Sequence, residues 1–233
     1  MNRIRLALGA LGVLACAALA TAKDHVANPH WLSDKEIAAL VATIPPPPAA
    51  GSDAEKEDMQ EEIDAQKTRT PERIAEANLD ADYSVTLFTN MVGPKLTPQN
   101  DPVTFRFFDE LNRQIGQVVG AAKDRFKRPR PYLAHPDLIH ALFAAGGYSY
   151  PSGHSTHSYA FGIILGQIFP DRADAFLERA RKIAQSRVDA GVHYTSDIRE
   201  GKVLGHEIAR ELLSKPAFEQ ALKAAEAEEA AQK

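Results

Sequence analysis

Three short clusters hold residue types that suit one kind of chemistry when they act together. They are Lys123-x6-Arg130-Pro131, Pro151-Ser152-Gly153-His154 and Ser186-Arg187-x5-His193-x3-Asp197. They supply three cations, a hydroxyl, a glycine beside a histidine, a second histidine and a carboxylate four residues beyond it. That set fits three tasks: binding a tetrahedral oxyanion, attacking it with one imidazole, and protonating the leaving group with the other. Each cluster alone has an ordinary explanation. Lysine and arginine usually carry solvated charge, Pro-Ser-Gly suits any helix start, and a His-Asp pair can be structural. Only the joint reading uses every position.

A phosphate monoester presents three equatorial oxygens in its transition state, so catalysis rests on positioning and electrostatic stabilisation. Lys123 brings a compact charge, and Arg130 and Arg187 bring planar forks that grip oxygens through paired hydrogen bonds. Ser152 offers a hydroxyl. Gly153 offers a backbone N–H that no side chain shields. If these two residues begin a helix, its free N–H groups and dipole also face the anion. His193 has Asp197 one helical turn away. The carboxylate can accept the Nδ1 hydrogen and leave Nε2 to attack, the orienting logic of a triad. His154 has no carboxylate within a few residues and takes the acid role. One imidazole must be neutral and the other protonated. With a reference pKa of ~6.5, that predicts an optimum on the acid side of neutrality. His157 lies three residues from His154, a spacing that suits a metal pair on a helix, but no third ligand accompanies it. No metal and no cofactor is assigned.

The elements that must position these groups read as helices. Strand signals are weak, with no sustained period-two alternation. A helix is expected from Ser33 to Ile44, stopped by Pro45 to Pro48. Another spans Ser52 to Gln66, with Glu55, Glu57, Asp58, Glu61 and Glu62 as a solvated acidic face. Thr70-Pro71 starts a third helix, with a capping hydroxyl and a proline in the first turn, that runs towards Phe88. Asp101-Pro102 repeats this start, and Val103, Phe107, Leu111, Ile115, Val118 and Ala122 mark a long amphipathic helix. Pro129 and Pro131 end it, which leaves Lys123 in its last turns and Arg130 in the extended segment beyond. Further helices are expected over His135 to Ala145, from Pro151 through Ile168, from Pro170 to Arg187, from His193 towards Leu213, and from Pro216 onward. The fold class is all-α, a single-domain helical bundle.

The chain has 233 residues, 44% of them apolar and 25% charged, normal values for one soluble domain. The formal net charge of −4 argues against general nucleic acid binding, which phosphate neutralisation drives. Arg3 and Arg5 precede an apolar stretch from Leu6 to Leu19, too short to span a bilayer comfortably. Small residues at Ala18, Ala20 and Ala22 follow. This reads as a secretory signal over residues 1–22, cleaved after Ala20 or Ala22, with one domain over 23–233 in the periplasm. The single cysteine, Cys16, falls inside the signal, so the mature domain is held without disulfides. No later segment suits a membrane span, so no membrane association is expected of the mature form. The acidic and Ala-rich flanking helices leave two readings open, a homo-oligomer surface or a solvent face.

The three clusters resemble the K-x6-RP, PSGH and SR-x5-H-x3-D motifs of the type 2 phosphatidic acid phosphatase superfamily. Within it the chain resembles the class A bacterial non-specific acid phosphatases, notably at Pro45 to Ser52, Glu76-Ala77-Asn78-Leu79, Ser149 to His154 and Lys215 to Phe218. The resemblance spans nearly all of the mature chain. It implies the helical fold of the acid phosphatases and vanadium haloperoxidases, a periplasmic location, broad activity on small phosphate monoesters, no required metal, and vanadate sensitivity. It also implies that Lys123, Arg130, Ser152, Gly153 and Arg187 bind phosphate, that His154 is the acid, that His193 is the nucleophile, and that Asp197 orients it. Tyr148 and Ser155 stand where that group usually has glycine and threonine, which bears on pocket shape. A vanadium-dependent haloperoxidase, similar at the same oxyanion site, is the alternative. A lipid phosphatase and a non-catalytic phosphate binder fit less well.

Overall fold

Proline and a preceding cap set most of the helix starts. The structure, a computed structural model, describes residues 30–93 and 95–232. The expected signal and its two cleavage positions lie outside these residues. The helices are α1 (Asp34–Ala42), α2 (Asp53–Lys67), α3 (Pro71–Leu79), α4 (Thr86–Thr89), α5 (Pro102–Phe126), α6 (Pro131–Ala134), α7 (Gly153–Ile168), α8 (Ala173–Asp189), α9 (Thr195–Leu213) and α10 (Pro216–Ala230). One 3-10 turn at Pro170–Arg172 leads into α8. No strand occurs among the described residues, so the chain is all-α as expected. Hydroxyls of Ser33, Ser52, Thr70 and Ser152 accept from backbone N–H groups in the first turns of α1, α2, α3 and α7, each satisfying a donor that the helix leaves open.

Helix α7 is the centre. It is buried almost all round, and α8, α9 and α5 pack on it. Its closest approach is to α9, where two glycines lie one turn apart. A Cβ at Gly205 would sit 2.5 Å from the Thr156 carbonyl oxygen. One at Gly201 would sit 2.7 Å from the Ser152 carbonyl oxygen and 2.8 Å from Ser155 Cβ. Backbone cannot yield cheaply at such distances. This seam joins the second sequence cluster to the third: the Ser152 N–H donates to the Asp197 carbonyl at 2.9 Å, and Ser155 Oγ donates to the Ile198 carbonyl at 2.6 Å. Gly205→Ala is therefore expected to lower stability by about 1–3 kcal/mol, the usual range for overpacking, and to reduce turnover by shifting the start of α9. Urea unfolding checks this; an unchanged midpoint would show that the seam has slack.

The structure corrects four sequence expectations. Helix α3 stops at Leu79 and does not run towards Phe88. The Asp80 carboxylate is bound by Arg179, and the chain leaves the helix there, which frees the carbonyls of Asp80 and Ala81 for other partners. Residues His135 to Ala145 form turns and extended chain, not a helix. Their backbone is held from outside: Gln66 bonds the Leu138 carbonyl and the His140 N–H, and the Tyr132 hydroxyl bonds both backbone groups of Ala145. The acidic face of α2 is not wholly solvated, since Asp58 and Glu62 are buried. Lastly, Asp101 does not cap α5. Its carboxylate accepts from Thr97 N–H and Gln232. The start of α5 is capped instead by Glu228 on α10, which accepts from Val103 N–H at 3.0 Å and Thr104 N–H at 2.8 Å, while Glu229 accepts from the Thr104 hydroxyl at 2.8 Å.

Candidate active site

Four of the eight sequence-predicted residues, Arg130, His154, Arg187 and His193, line a cavity of about 420 Å3. Asp197 lies directly behind His193. Lys123 is near but turned aside, its ammonium on the Tyr148 carbonyl. Ser152 is fully buried as the cap of α7. Gly153 is the first residue of α7, where a Cβ would meet only Val119 at an ordinary 3.5 Å. Lys123, Ser152 and Gly153 thus stand around the cavity without lining it.

His193 sits in the tight turn between α8 and α9, where Gly191 takes φ +75. A Cβ at Gly191 would lie 3.0 Å from Ala141 Cα, so both the dihedral and the space favour glycine. The imidazole is fixed from both sides. Nδ1 faces Asp197 Oδ2 at 3.2 Å, and Nε2 faces Arg130 Nη1 at 3.1 Å. A guanidinium can only donate. Nε2 is therefore the acceptor and Nδ1 carries the hydrogen, so the ring is neutral with its one in-plane lone pair on Nε2, where it accepts from Arg130. Burial first, then the charges of Arg130, Lys123 and Arg187, hold its pKa well below the usual histidine range.

Asp197 is fully buried and fully used. Oδ2 also accepts the Tyr194 N–H at 2.9 Å, and Oδ1 accepts from Arg128 at 2.7 Å. Burial raises its carboxyl above the usual carboxylate range, and Arg128 offsets this only in part. Arg128 in turn donates to Asp58 at 2.8 Å and to Ser196 Oγ at 2.7 Å. Its guanidinium lies 3.8 Å from the Tyr194 ring centroid, a cation–π stack. Asp58 accepts the Ser196 N–H at 2.9 Å, which ties α2 to the first turn of α9. Burial pushes the nearby Glu62 carboxyl up to about 9, so it is neutral and adds no charge beside Asp58 and Asp197.

Arg128, Asp58 and Ser196 were not singled out in the sequence. Arg128 looks like one more charge in Lys127-Arg128-Pro129-Arg130, and Asp58 like one more acid on α2. Their spacing carries no signal, because the contacts span 68 to 70 residues.

The two arginines of the cavity differ. Arg130 is held by carbonyls, with Nε on Gly147 at 3.1 Å, Nη1 on Val192 at 2.9 Å and Nη2 on Gly146 at 2.5 Å. Arg187 donates Nη1 to the Asp80 carbonyl at 2.9 Å. Its Nε is buried with no hydrogen-bond partner among the described residues, a costly state for a charged donor unless a ligand accepts from it. Burial lowers the Arg187 pKa to about 10, so it remains a cation at working pH. His154 Nε2 lies 3.2 Å from the Ala81 carbonyl, and the Tyr83 ring meets the imidazole edge-on with centroids 5.6 Å apart. Burial, then the charges of Arg187 and His193, push the His154 pKa well below its usual value. His157 turns its nitrogens to the carbonyls of Gly153 at 2.8 Å and Asn112 at 3.3 Å.

A neutral imidazole backed by a carboxylate, a second imidazole and a cationic wall, all on an all-α scaffold, suit an enzyme that handles oxyanions. The chain belongs to the PAP2 superfamily, whose family model matches residues 114–216. It is 31% identical to the non-specific acid phosphatase of Salmonella typhi over 190 residues, covering 77% of this chain and 75% of that protein. It is 27% identical to the non-specific acid phosphatase of Providencia stuartii, covering 91% and 90%. These similarities make the chain an acid phosphatase, a phosphoric monoester hydrolase. A bacterial vanadium-dependent iodoperoxidase shares the fold, with a TM-score of 0.61 at 18% identity over 81% of this chain and 57% of that one. Among the described residues, no helix is long and apolar enough to cross a membrane.

Proposed function

We propose that the chain hydrolyses a broad range of small phosphate monoesters through a phosphohistidine on His193. The observation that carries this is the pairing of His193, with Nδ1–H on Asp197 and the Nε2 lone pair facing a cationic cavity. Arg187 Nε and the remaining Arg130 hydrogen grip the phosphoryl oxygens. Lys123 at the end of α5 and the first turn of α7 at Gly153, which Ser152 caps, add positive field from behind the cavity wall. The bound phosphoryl group draws the Arg130 Nη1 hydrogen from Nε2 onto its own oxygen, Nε2 attacks phosphorus, and Asp197 stabilises the positive charge that forms on the ring. His154 donates a proton to the leaving alcohol, then takes one from the water that attacks the phosphohistidine. No step requires a metal. An alcohol in place of that water would give phosphotransfer. In this reading residues 23–233 form one catalytic domain, and residues 1–22 direct its export to the periplasm.

The pH dependence follows from the charges. Burial and the neighbouring cations favour the neutral form of both histidines in the free enzyme, so in this reading the proton for His154 arrives with the substrate. A phosphate ester carries that proton below its second pKa of roughly 6. Binding of the anion then offsets the positive field that, after burial, disfavours the charged form of His154. An acid optimum results, with kcat/KM falling above it. A second limb belongs to Lys123, whose pKa is lowered to about 8, by burial first and by Arg130 next. Its charge is present below that pH and is lost as pH rises through it. A plot of kcat/KM for p-nitrophenyl phosphate should therefore steepen near pH 8. Lys123→Arg should remove the steepening, because arginine stays charged. An alkaline limb identical in the variant would rule Lys123 out. The same assay run with EDTA and vanadate tests the whole reading. Indifference to EDTA and inhibition by vanadate are expected. Halide oxidation with vanadate and peroxide, without hydrolysis, would overturn it in favour of a haloperoxidase.

A further inference from the structure

The cavity is not cationic throughout. Asp82 lines it too, exposed at the mouth and without an ion pair among the described residues. Its place is set by the short segment that leaves α3. The Asp80 carbonyl accepts from Arg187 at 2.9 Å, the Ala81 carbonyl contacts His154 Nε2 at 3.2 Å, and Asp82 follows. One strand of backbone thus touches the phosphate-binding side, then the acid, then presents a carboxylate. A leaving group must point towards the residue that protonates it. With phosphorus beside His193 and Arg187, the alcohol lies along Ala81 and Asp82. Phe143 stands on another wall, its ring centroid 5.1 Å from the Arg187 guanidinium carbon, and offers no charge to balance Asp82.

We infer that Asp82 selects the leaving group: it favours phosphate monoesters whose alcohol carries a hydrogen-bond donor, ammonium or hydroxyl, and disfavours those bearing a second anion. This rests on the phosphatase reading above and on the assignment of His154 as the acid. The physical basis is Coulombic. A lone carboxylate at the mouth attracts a cation or donor and repels an anion once the phosphoryl anchor holds the leaving group within a few ångström of it, a distance shorter than the screening length. The inner arginines secure the phosphoryl group for every substrate, so discrimination falls to the outer carboxylate.

Three esters of similar size test the inference: phosphoethanolamine, ethyl phosphate and phosphoglycolate. The wild-type chain should give kcat/KM values in that descending order. In Asp82→Asn the ratio of phosphoethanolamine to phosphoglycolate should fall by about tenfold. In Asp82→Glu it should stay within about threefold of wild type, since the charge is kept. Ratios within one variant cancel any general loss of folding or turnover. An Asp82→Asn ratio equal to wild type, or a wild-type ratio at or below one, would overturn the inference while leaving the phosphatase intact. Failure of the wild-type chain to turn over p-nitrophenyl phosphate would instead remove the reading on which it rests.

Discussion

His193→Ala is expected to lower kcat on p-nitrophenyl phosphate by about 10^4-fold or more, the scale seen when a nucleophile that acts in concert with its partners is removed. Phosphate and vanadate should still bind, because Arg130 and Arg187 keep most of their anchors: Arg130 is held by the carbonyls of Gly146, Gly147 and Val192, and Arg187 by that of Asp80. Loss of turnover with retained anion affinity separates a chemical role from a structural one. Calorimetric titration with vanadate reads the affinity. In the wild-type enzyme, quenching with alkali during turnover of labelled substrate should trap phosphate on His193, since a phosphorylated imidazole survives base. A variant that keeps more than about a hundredth of wild-type turnover would move the nucleophile elsewhere, and His154 would be tested next.

The second large effect concerns Arg128. It is buried between two buried carboxylates, Asp58 and Asp197. Removing one partner of such a cluster leaves uncompensated charge in a dry setting and costs about 3–5 kcal/mol. Arg128→Leu should lose stability on that scale in urea unfolding. It should also lose turnover by about 100-fold, as expected when a catalytic group is displaced from its working position. Without Arg128, Asp197 is driven towards its protonated form, and a neutral carboxyl accepts the Nδ1 hydrogen poorly. The double variant Arg128→Leu with Asp58→Asn should recover part of the stability, because one stranded charge is gone. It should recover little activity, because Asp197 still lacks its cation. Full recovery of both would show that Arg128 serves the packing of α2 alone.

The start of α7 was legible in the sequence because it is a local event. Proline, a capping serine and a glycine act over four residues, and the apolar run behind them can only be buried. The same holds for the His193–Asp197 pair, whose contact lies within one turn. The Asp58–Arg128–Asp197 chain was not legible, since it joins segments about 70 residues apart through charges that look solvated in isolation. His135 to Ala145 misled for a related reason. Its composition suits a helix, but Gln66 and Tyr132 capture its backbone, and the Gly146 and Gly147 carbonyls that follow serve Arg130. Tertiary partners outweigh a weak local preference of this kind. Asp82 falls in the same class. Nothing near it in sequence marks a pocket, and only the break after Leu79 brings it to the mouth.

The cap that α10 places on α5 sets an order of assembly. Glu228 satisfies donors 125 and 124 residues earlier in the chain, a contact of long sequence separation that is slow to form. A nascent chain has made all three chemical clusters well before it reaches Glu228, yet α5 still lacks its N-terminal partners at that stage. Because α5 carries Lys123, the cationic cradle reaches its final stiffness only after α10 docks. Turnover by this enzyme therefore depends on α10 being docked, and a chain cut before α10 carries all three clusters without the framework that aims them.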